Sequence, residues 1–214
     1  MSLIKVSHDS TYNYSIYKSE AAVKFQKLLI KHCYVAHERF KCQFPEREGD
    51  STWAYSEYNV ANLMYGSEPF FYVWRDIRQA VREFMNTEEP LWIQSWLNFH
   101  TPEQVLKWHS HASVHGYISI DPKNTKTTFR RGAMGPNRKD LQYIDETNIY
   151  EVVNEVGKIY IGTSKERVHR VEVLENFSTP RITIAFDINT KKDRDRTYEN
   201  EGPYSWSRSL LPLD

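Results

Sequence analysis

The chain has 214 residues, with 28 Lys+Arg set against 28 Asp+Glu and a formal net charge of zero. That length suits one well-buried domain rather than two. The charge balance excludes a surface given over wholly to nucleic acid or anionic lipid, and leaves room for one basic patch. The longest apolar runs fall short of the roughly 20 residues of a membrane helix. The opening MSLIKVSHDS has no apolar core of a secretory signal, so export is not expected. Two cysteines, Cys33 and Cys42, make no disulfide framework, and a reduced, cytoplasmic setting is the expectation. Aromatic residues reach 14%, which suits a sheet-rich fold with wide faces to fill.

In chain order, residues 19–40 place Ala22, Phe25, Leu28, Leu29, His32, Cys33 and Ala36 at three- and four-residue steps, predicting an amphipathic helix with Ser19 as its N-cap. Residues 41–69, with Pro45, Gly49, Gly66 and Pro69, read as loop with short strands. Residues 70–86 repeat the helical period through Phe70, Val73, Trp74, Ile77, Val81 and Phe84. After Pro90 the period changes to two. Leu91, Ile93, Ser95, Leu97 and Phe99 fall on one face, and Trp92, Gln94, Trp96 and Asn98 on the other. Further strands are predicted at 105–111, 116–120, 125–129, 148–154, 158–162, 168–174 and 181–188. From Asn189 the stretch KKDRDR, Pro203 and Pro212 suggest an irregular tail pinned by Trp206 and Leu210. The expected architecture is mainly β with N-terminal helices: one domain over 1–214, with a helical brace and loops (1–90), a jelly-roll core (91–188) and a tail (189–214).

The chemistry concentrates in histidine. WHSHASVHG supplies His109, His111 and His115, and RVHRVEV supplies His169. Residues i and i+2 of a strand share a face at about 6–7 Å, so His109 and His111 can meet one metal ion, with a third ligand from a later strand such as that of His169. Nitrogen donors suit iron, zinc and copper alike. A lone H-x-H is more often a polar face or a satisfied pair, and His115 fits a residue behind the ligands or a strand-edge polar group. His8, His32, His37 and His100 have no spacing that suggests a site. Arg181 opens an otherwise apolar strand, with Thr183 on its face; burying it requires a carboxylate or phosphate, or one of the protein's own acids.

Taken together, H-x-H, a distal His about sixty residues on and Arg-x-Thr a dozen residues beyond resemble the Fe(II)- and 2-oxoglutarate-dependent oxygenases. The run IQSWLNFHTPEQVLKWHSH is also similar to an H-x-H sub-group of such oxygenases in bacteria and phages. The resemblance covers roughly residues 91–188. It implies a double-stranded β-helix (jelly-roll, cupin-like) braced by two helices, a dioxygenase coupling 2-oxoglutarate decarboxylation to substrate oxidation, and Fe(II) as metal. Residue by residue, it makes His109 and His169 iron ligands, with His111 standing where the superfamily has a carboxylate. Arg181 becomes the anchor for the far carboxylate of 2-oxoglutarate and Thr183 its partner, with Asn98 and Tyr117 within reach of the co-substrate.

Two other readings compete. A cupin-type metal protein shares H-x-H but expects a Glu near position 115 and has no need of Arg181. A catalytically inactive jelly-roll would bind a partner through aromatics such as Trp53, Tyr55, Tyr58, Tyr65 and Trp74. Beyond dioxygen, the substrate is expected to be a small molecule, a peptide or nucleotide-like. Residues 123–139 carry Lys123, Lys126, Arg130, Arg131, Arg138 and Lys139 before any acid, which suggests a basic loop, with Arg130 and Arg131 as candidate substrate contacts. Net charge does not indicate nucleic acid, and no membrane contact is expected.

Overall fold

The computed structural model describes residues 2–44, 51–52, 58–104, 108–111, 114–131, 133–134, 141–142, 149–163, 167–195 and 210–214. The chain opens on an antiparallel hairpin, β1 (Leu3–Asp9) and β2 (Tyr14–Ser19), where sequence periodicity shows no strand. β1 is an edge strand whose Ile4 and Val6 face solvent, so the alternation that marks a half-buried strand is missing.

Ser19 ends β2 and caps the first helix as expected: its hydroxyl accepts from the Ala22 amide at 3.1 Å and donates to the buried Asp76 carboxylate at 2.6 Å. The predicted helix over 19–40 is interrupted at Phe25 into α1 (Glu20–Lys24) and α2 (Gln26–Gln43). The 41–69 segment yields a short helix, α3 (Val60–Met64), capped by the Asn59 side chain, where short strands were expected. α4 (Glu68–Met85) starts at Ser67, whose hydroxyl accepts from the Phe70 amide, and ends at Asn86 in a left-handed conformation, a residue tolerant of it.

The rest is strand: β3 (Leu91–His100), β4 (Val114–Asp121), β5 (Thr125–Arg131), β6 (Ala133–Met134), β7 (Leu141–Gln142), β8 (Ile149–Val153), β9 (Lys158–Thr163), β10 (Arg167–Val173), β11 (Arg181–Thr190) and β12 (Leu211–Pro212). They form a seven-stranded sheet in the order β1-β2-β9-β4-β11-β3-β12 and a three-stranded sheet β10-β5-β8. One face of the large sheet packs on the helices: Ile93, Leu97, Ile118, Ile159, Ile161 and Ile184 meet Leu29, Cys33, Val73, Ile77 and Val81 in one core. Each fully buried aliphatic there contributes about 1.5–3 kcal/mol. The other face turns toward the small sheet, with Tyr117, Phe129, Val152 and Tyr160 filling the space between. The period-two reading of β3 and β11 holds: Trp96 and Asn98 on β3, and Arg181 and Thr183 on β11, lie on the interior face opposite the helix-packed residues.

The described parts of the tail, 189–195 and 210–214, hold regular structure where an irregular course was expected. Asn189 and Thr190 complete β11, residues 191–195 are helical, and β12 pairs with β3, burying Leu213. Trp206 lies outside the described residues. Cys33 and Cys42 are both free. No helix among the described residues is long and apolar enough to cross a membrane.

Candidate metal centre

The interior face carries the polar residues of interest, and the histidines gather at one end of it. His109 does not sit in a strand, contrary to expectation. Pro102 opens a 3-10 turn over Pro102–Gln104, and residues 105–107 lie outside the described residues. His109 instead forms an isolated antiparallel bridge with His169 of β10, each amide donating to the other's carbonyl at 3.1 and 2.9 Å. That clasp, rather than strand periodicity, brings the first and distal histidines together across about sixty residues of chain. The ring centroids are 4.2 Å apart for His109 and His169, 5.1 Å for His109 and His111, and 5.2 Å for His111 and His169. One nitrogen from each ring lies within 4.8 Å of the others. Three imidazole nitrogens at about 2.0–2.1 Å from a common ion span at most about 4.2 Å, so small ring rotations close the site. The donor set fits a divalent transition metal.

Burial supports that chemistry. His169 is buried, and its imidazole is held well below the ordinary histidine pKa, first by desolvation and then by His109, His115, His111 and Arg181. A neutral ring keeps a lone pair to donate. His115, on the interior face of β4, is buried and pushed down by the same desolvation. Its ring lies 4.9 Å from both His111 and His169 and nearly parallel to each. Neither of its nitrogens has a hydrogen-bond partner among the described residues, and it falls outside the three-ring group that shares one ion-sized space.

Arg181 begins β11 with His100 of β3 as its cross-strand partner. It is 4% exposed, and burial pulls its guanidinium down to about 10, with Tyr117 acting the other way. No salt bridge or hydrogen bond reaches the guanidinium among the described residues, and its Nε is buried without a partner. The own-acid alternative for Arg181 therefore finds no carboxylate among those residues. Thr183 is the cross-strand partner of Asn98 and accepts from Asn98 Nδ2 at 3.3 Å, while Asn98 Oδ1 accepts from Ser51 at 2.6 Å. Asn98 thus positions Thr183. Tyr117 faces the same interior, but its hydroxyl lies 3.1 Å from Thr127 and 3.0 Å from Asn154, a network that occupies it; burial raises its pKa to about 12.

Three residues of this region escape the sequence reading. His100 lies on the interior face, 5% exposed, its Nδ1 unpartnered among the described residues and its pKa pulled to about 4 by burial, then by Arg181 and His109. Asp187, also nearly buried, places Oδ1 3.1 Å from His111 Nδ1. The alternation Arg181, Thr183, Ala185, Asp187 points to it once carried further along β11. Trp108, beside His109, lies under the guanidinium groups of Arg170 and Arg130 at 4.7 and 5.3 Å. The remaining histidines serve the scaffold: His8 bonds Ser15, His32 bonds Ser67, and His37 stacks on Phe99.

The basic segment expected to be a loop is in part a strand. Lys126, Arg130 and Arg131 belong to β5. Lys123 pairs with Asp121 at 2.6 Å, and Lys126 pairs with Glu151 and Glu172 at 2.7 and 3.4 Å. Cross-strand neighbours supply the acids for Lys126, and a residue just before the segment supplies the one for Lys123. Arg138, Lys139 and the Arg131 side chain lie outside the described residues. Of the aromatics considered as a binding surface, Tyr65 is 85% exposed, Tyr58 and Trp74 are partly buried, and Trp53 and Tyr55 lie outside the described residues.

No protein-family model matches the sequence, and no curated protein does. Solved structures do match. The epimerase SnoN from nogalamycin biosynthesis, in complex with Fe3+, alpha ketoglutarate and nogalamycin RO, aligns over 83% of this chain and 79% of its own, with a TM-score of 0.52 and 11% identity. HygX from Streptomyces hygroscopicus, with nickel and 2-oxoglutarate bound, aligns over 85% of this chain and 84% of its own, with a TM-score of 0.51 and 14% identity. The chain has their fold. This jelly-roll, the fold of non-haem, 2-oxoglutarate-dependent enzymes, is the one that the sequence resemblance implied. The chain spans less of other matched structures, 61% of the carbocyclase SnoK and 52% of the monooxygenase ThoJ.

Proposed function

We propose that the protein is an Fe(II)- and 2-oxoglutarate-dependent oxygenase acting on a small organic substrate. The observation that carries this reading is a pairing in the space between the two sheets: three convergent imidazoles, and a buried guanidinium with no carboxylate partner among the described residues. A metal-only cupin has no use for the second element. Bound iron and 2-oxoglutarate would supply oxidation of the substrate by dioxygen, coupled to loss of carbon dioxide from the co-substrate.

The chain's own residues have separate tasks. His109, His111 and His169 hold the metal, and the backbone clasp between His109 and His169 sets two of the three rings before any ion arrives. Arg181 takes the far carboxylate of the co-substrate through its planar fork. The Thr183 hydroxyl accepts from Asn98 and so turns its own proton outward to add a donor to that carboxylate. Trp96, Phe129 and Tyr160 keep the surroundings apolar, which strengthens each of these contacts. Trp108, with Arg130 and Arg170 over its ring, stands at the rim beside His109, where a flat or anionic substrate would be met.

The test is turnover without the prime substrate: Fe(II), ascorbate, dioxygen and 2-oxoglutarate, with succinate as the product measured. Slow succinate formation that disappears in His169→Ala and Arg181→Ala supports the reading. Succinate at the level of free iron in all three proteins rejects it.

A further inference from the structure

The H-x-H motif leaves the metal pocket without a carboxylate among its ligands, and that deficit has a physical cost. A divalent ion held by three neutral imidazoles, with the Arg181 guanidinium nearby, receives no negative charge from those ligands to offset it. Among the described residues a carboxylate is within reach. Asp187, on the interior face of β11 six residues after Arg181, places Oδ1 3.1 Å from Nδ1 of His111. Its side chain is 8% exposed and that of His111 13%, so water screens the pair little. Among the described residues no hydrogen bond reaches Oδ1, and its 3.1 Å contact with His111 Nδ1 is itself off hydrogen-bond geometry, so the oxygen is open to a ring turned slightly toward it.

The plane of the His111 ring is fixed from its faces. Trp96 stacks on it at 5.5 Å and 17°, and His115 at 4.9 Å and 7°. What stacking leaves undecided is which nitrogen carries the proton. A carboxylate beside Nδ1 decides it: it favours the tautomer with the proton on Nδ1, whose N–H would donate to Oδ1 after a small in-plane turn of the ring, leaving Nε2 with the lone pair.

We propose that Asp187 is the carboxylate of this metal site, acting as a positioning residue through His111 rather than as a ligand. It fixes the tautomer of His111, makes that imidazole a stronger donor and returns to the pocket the negative charge that the motif lacks. The inference rests on the proposed metal centre.

The test is anaerobic equilibrium dialysis of the full chain with Fe(II) alone, comparing wild type, Asp187→Asn, His111→Asp and the double variant, with an apo melting curve for each. Asp187→Asn is expected to weaken Fe(II) binding about 10- to 100-fold. In the His111→Asp background, where a carboxylate occupies the motif itself, the same change is expected to cost less than about threefold, because the ring through which Asp187 acts is gone. Asp187→Ser carries the same expectations, so a folding defect in one variant leaves the test intact. Wild-type affinity in Asp187→Asn, or an equal loss in both backgrounds, overturns the inference while leaving the metal centre standing. If wild type itself binds no Fe(II), the proposed function and this inference fall together.

Discussion

Replacing Arg181 by methionine separates the demands of folding from those of binding. The guanidinium is buried, has no ion-pair partner among the described residues, and is drawn by burial down to about 10. Relative to its ordinary range above 12, that displacement corresponds to roughly 3 kcal/mol of poorer solvation in the folded state. The cost is present in full at neutral pH, well below 10, where the group is charged whether folded or not. Methionine has similar reach and no charge to desolvate. With some packing lost in the exchange, the ligand-free protein is expected to gain about 1–3 kcal/mol, which raises Tm by about 2–10 °C for a chain of this size. The same change removes two charge-assisted hydrogen bonds to the co-substrate, each worth about 1.5–3 kcal/mol. Affinity for 2-oxoglutarate is therefore expected to fall by at least about 100-fold. Melting curves with and without Fe(II) and 2-oxoglutarate measure both effects in one experiment. Wild type should start lower and rise on adding the co-substrate; the variant should start higher and not move. A lower Tm for the ligand-free variant would show that the protein's own acids satisfy Arg181, and would refute the reasoning.

Three further outcomes follow from the same packing. Metal-free protein should lose stability as pH falls from 6.5 toward 4, because the unfolded chain takes up protons that the folded chain refuses at His100, whose pKa burial lowers from 6.5 to about 4. His100 accounts for roughly 3 kcal/mol of that loss, and His115 and His169 add to it in the same direction. His100→Asn should flatten the pH dependence of the melt, and a pH-independent melt contradicts the buried, neutral histidines. Gly116→Ala brings a Cβ to 2.4 Å from the Tyr160 carbonyl and 2.5 Å from the Phe186 ring; urea titration should show a loss of about 3 kcal/mol or more, because backbone cannot give way cheaply. Asp76→Ala removes the fully buried acceptor of the Ser19 hydroxyl and of Arg75. It should cost about 3 kcal/mol by the same assay, an unchanged midpoint being the contrary result.

Much of this molecule is legible in residue order. Period two in LWIQSWLNF and RITIAFDI separates a helix-packed face from an interior one, because the helix-packed face of these strands is apolar except at Ser95, whose hydroxyl bonds Asn59. Capping by Ser19 and the period of 70–86 likewise place the braces. What periodicity misses has physical causes. β1 is exposed, so selection for alternation is weak there. His109 reaches the site through a backbone bridge to a residue about sixty positions away, and no local pattern encodes that. Lys126 looks unpaired in the chain because Glu151 and Glu172 arrive on neighbouring strands. Asp187 lies on a strand that periodicity predicts, yet its proposed role depends on where His111 comes to rest, a tertiary fact. His100 has no spacing that suggests a site and reaches this region through its register with Arg181.

The most direct measurement is an anaerobic titration of the apo-protein with Fe(II) and then 2-oxoglutarate, following the visible charge-transfer band of iron chelated by a keto acid. The band should appear in wild type, vanish in His169→Ala, and require far more 2-oxoglutarate in Arg181→Met. If wild type binds Fe(II) yet gives no band at saturating 2-oxoglutarate, the oxygenase reading is wrong and a metal site of cupin type takes its place.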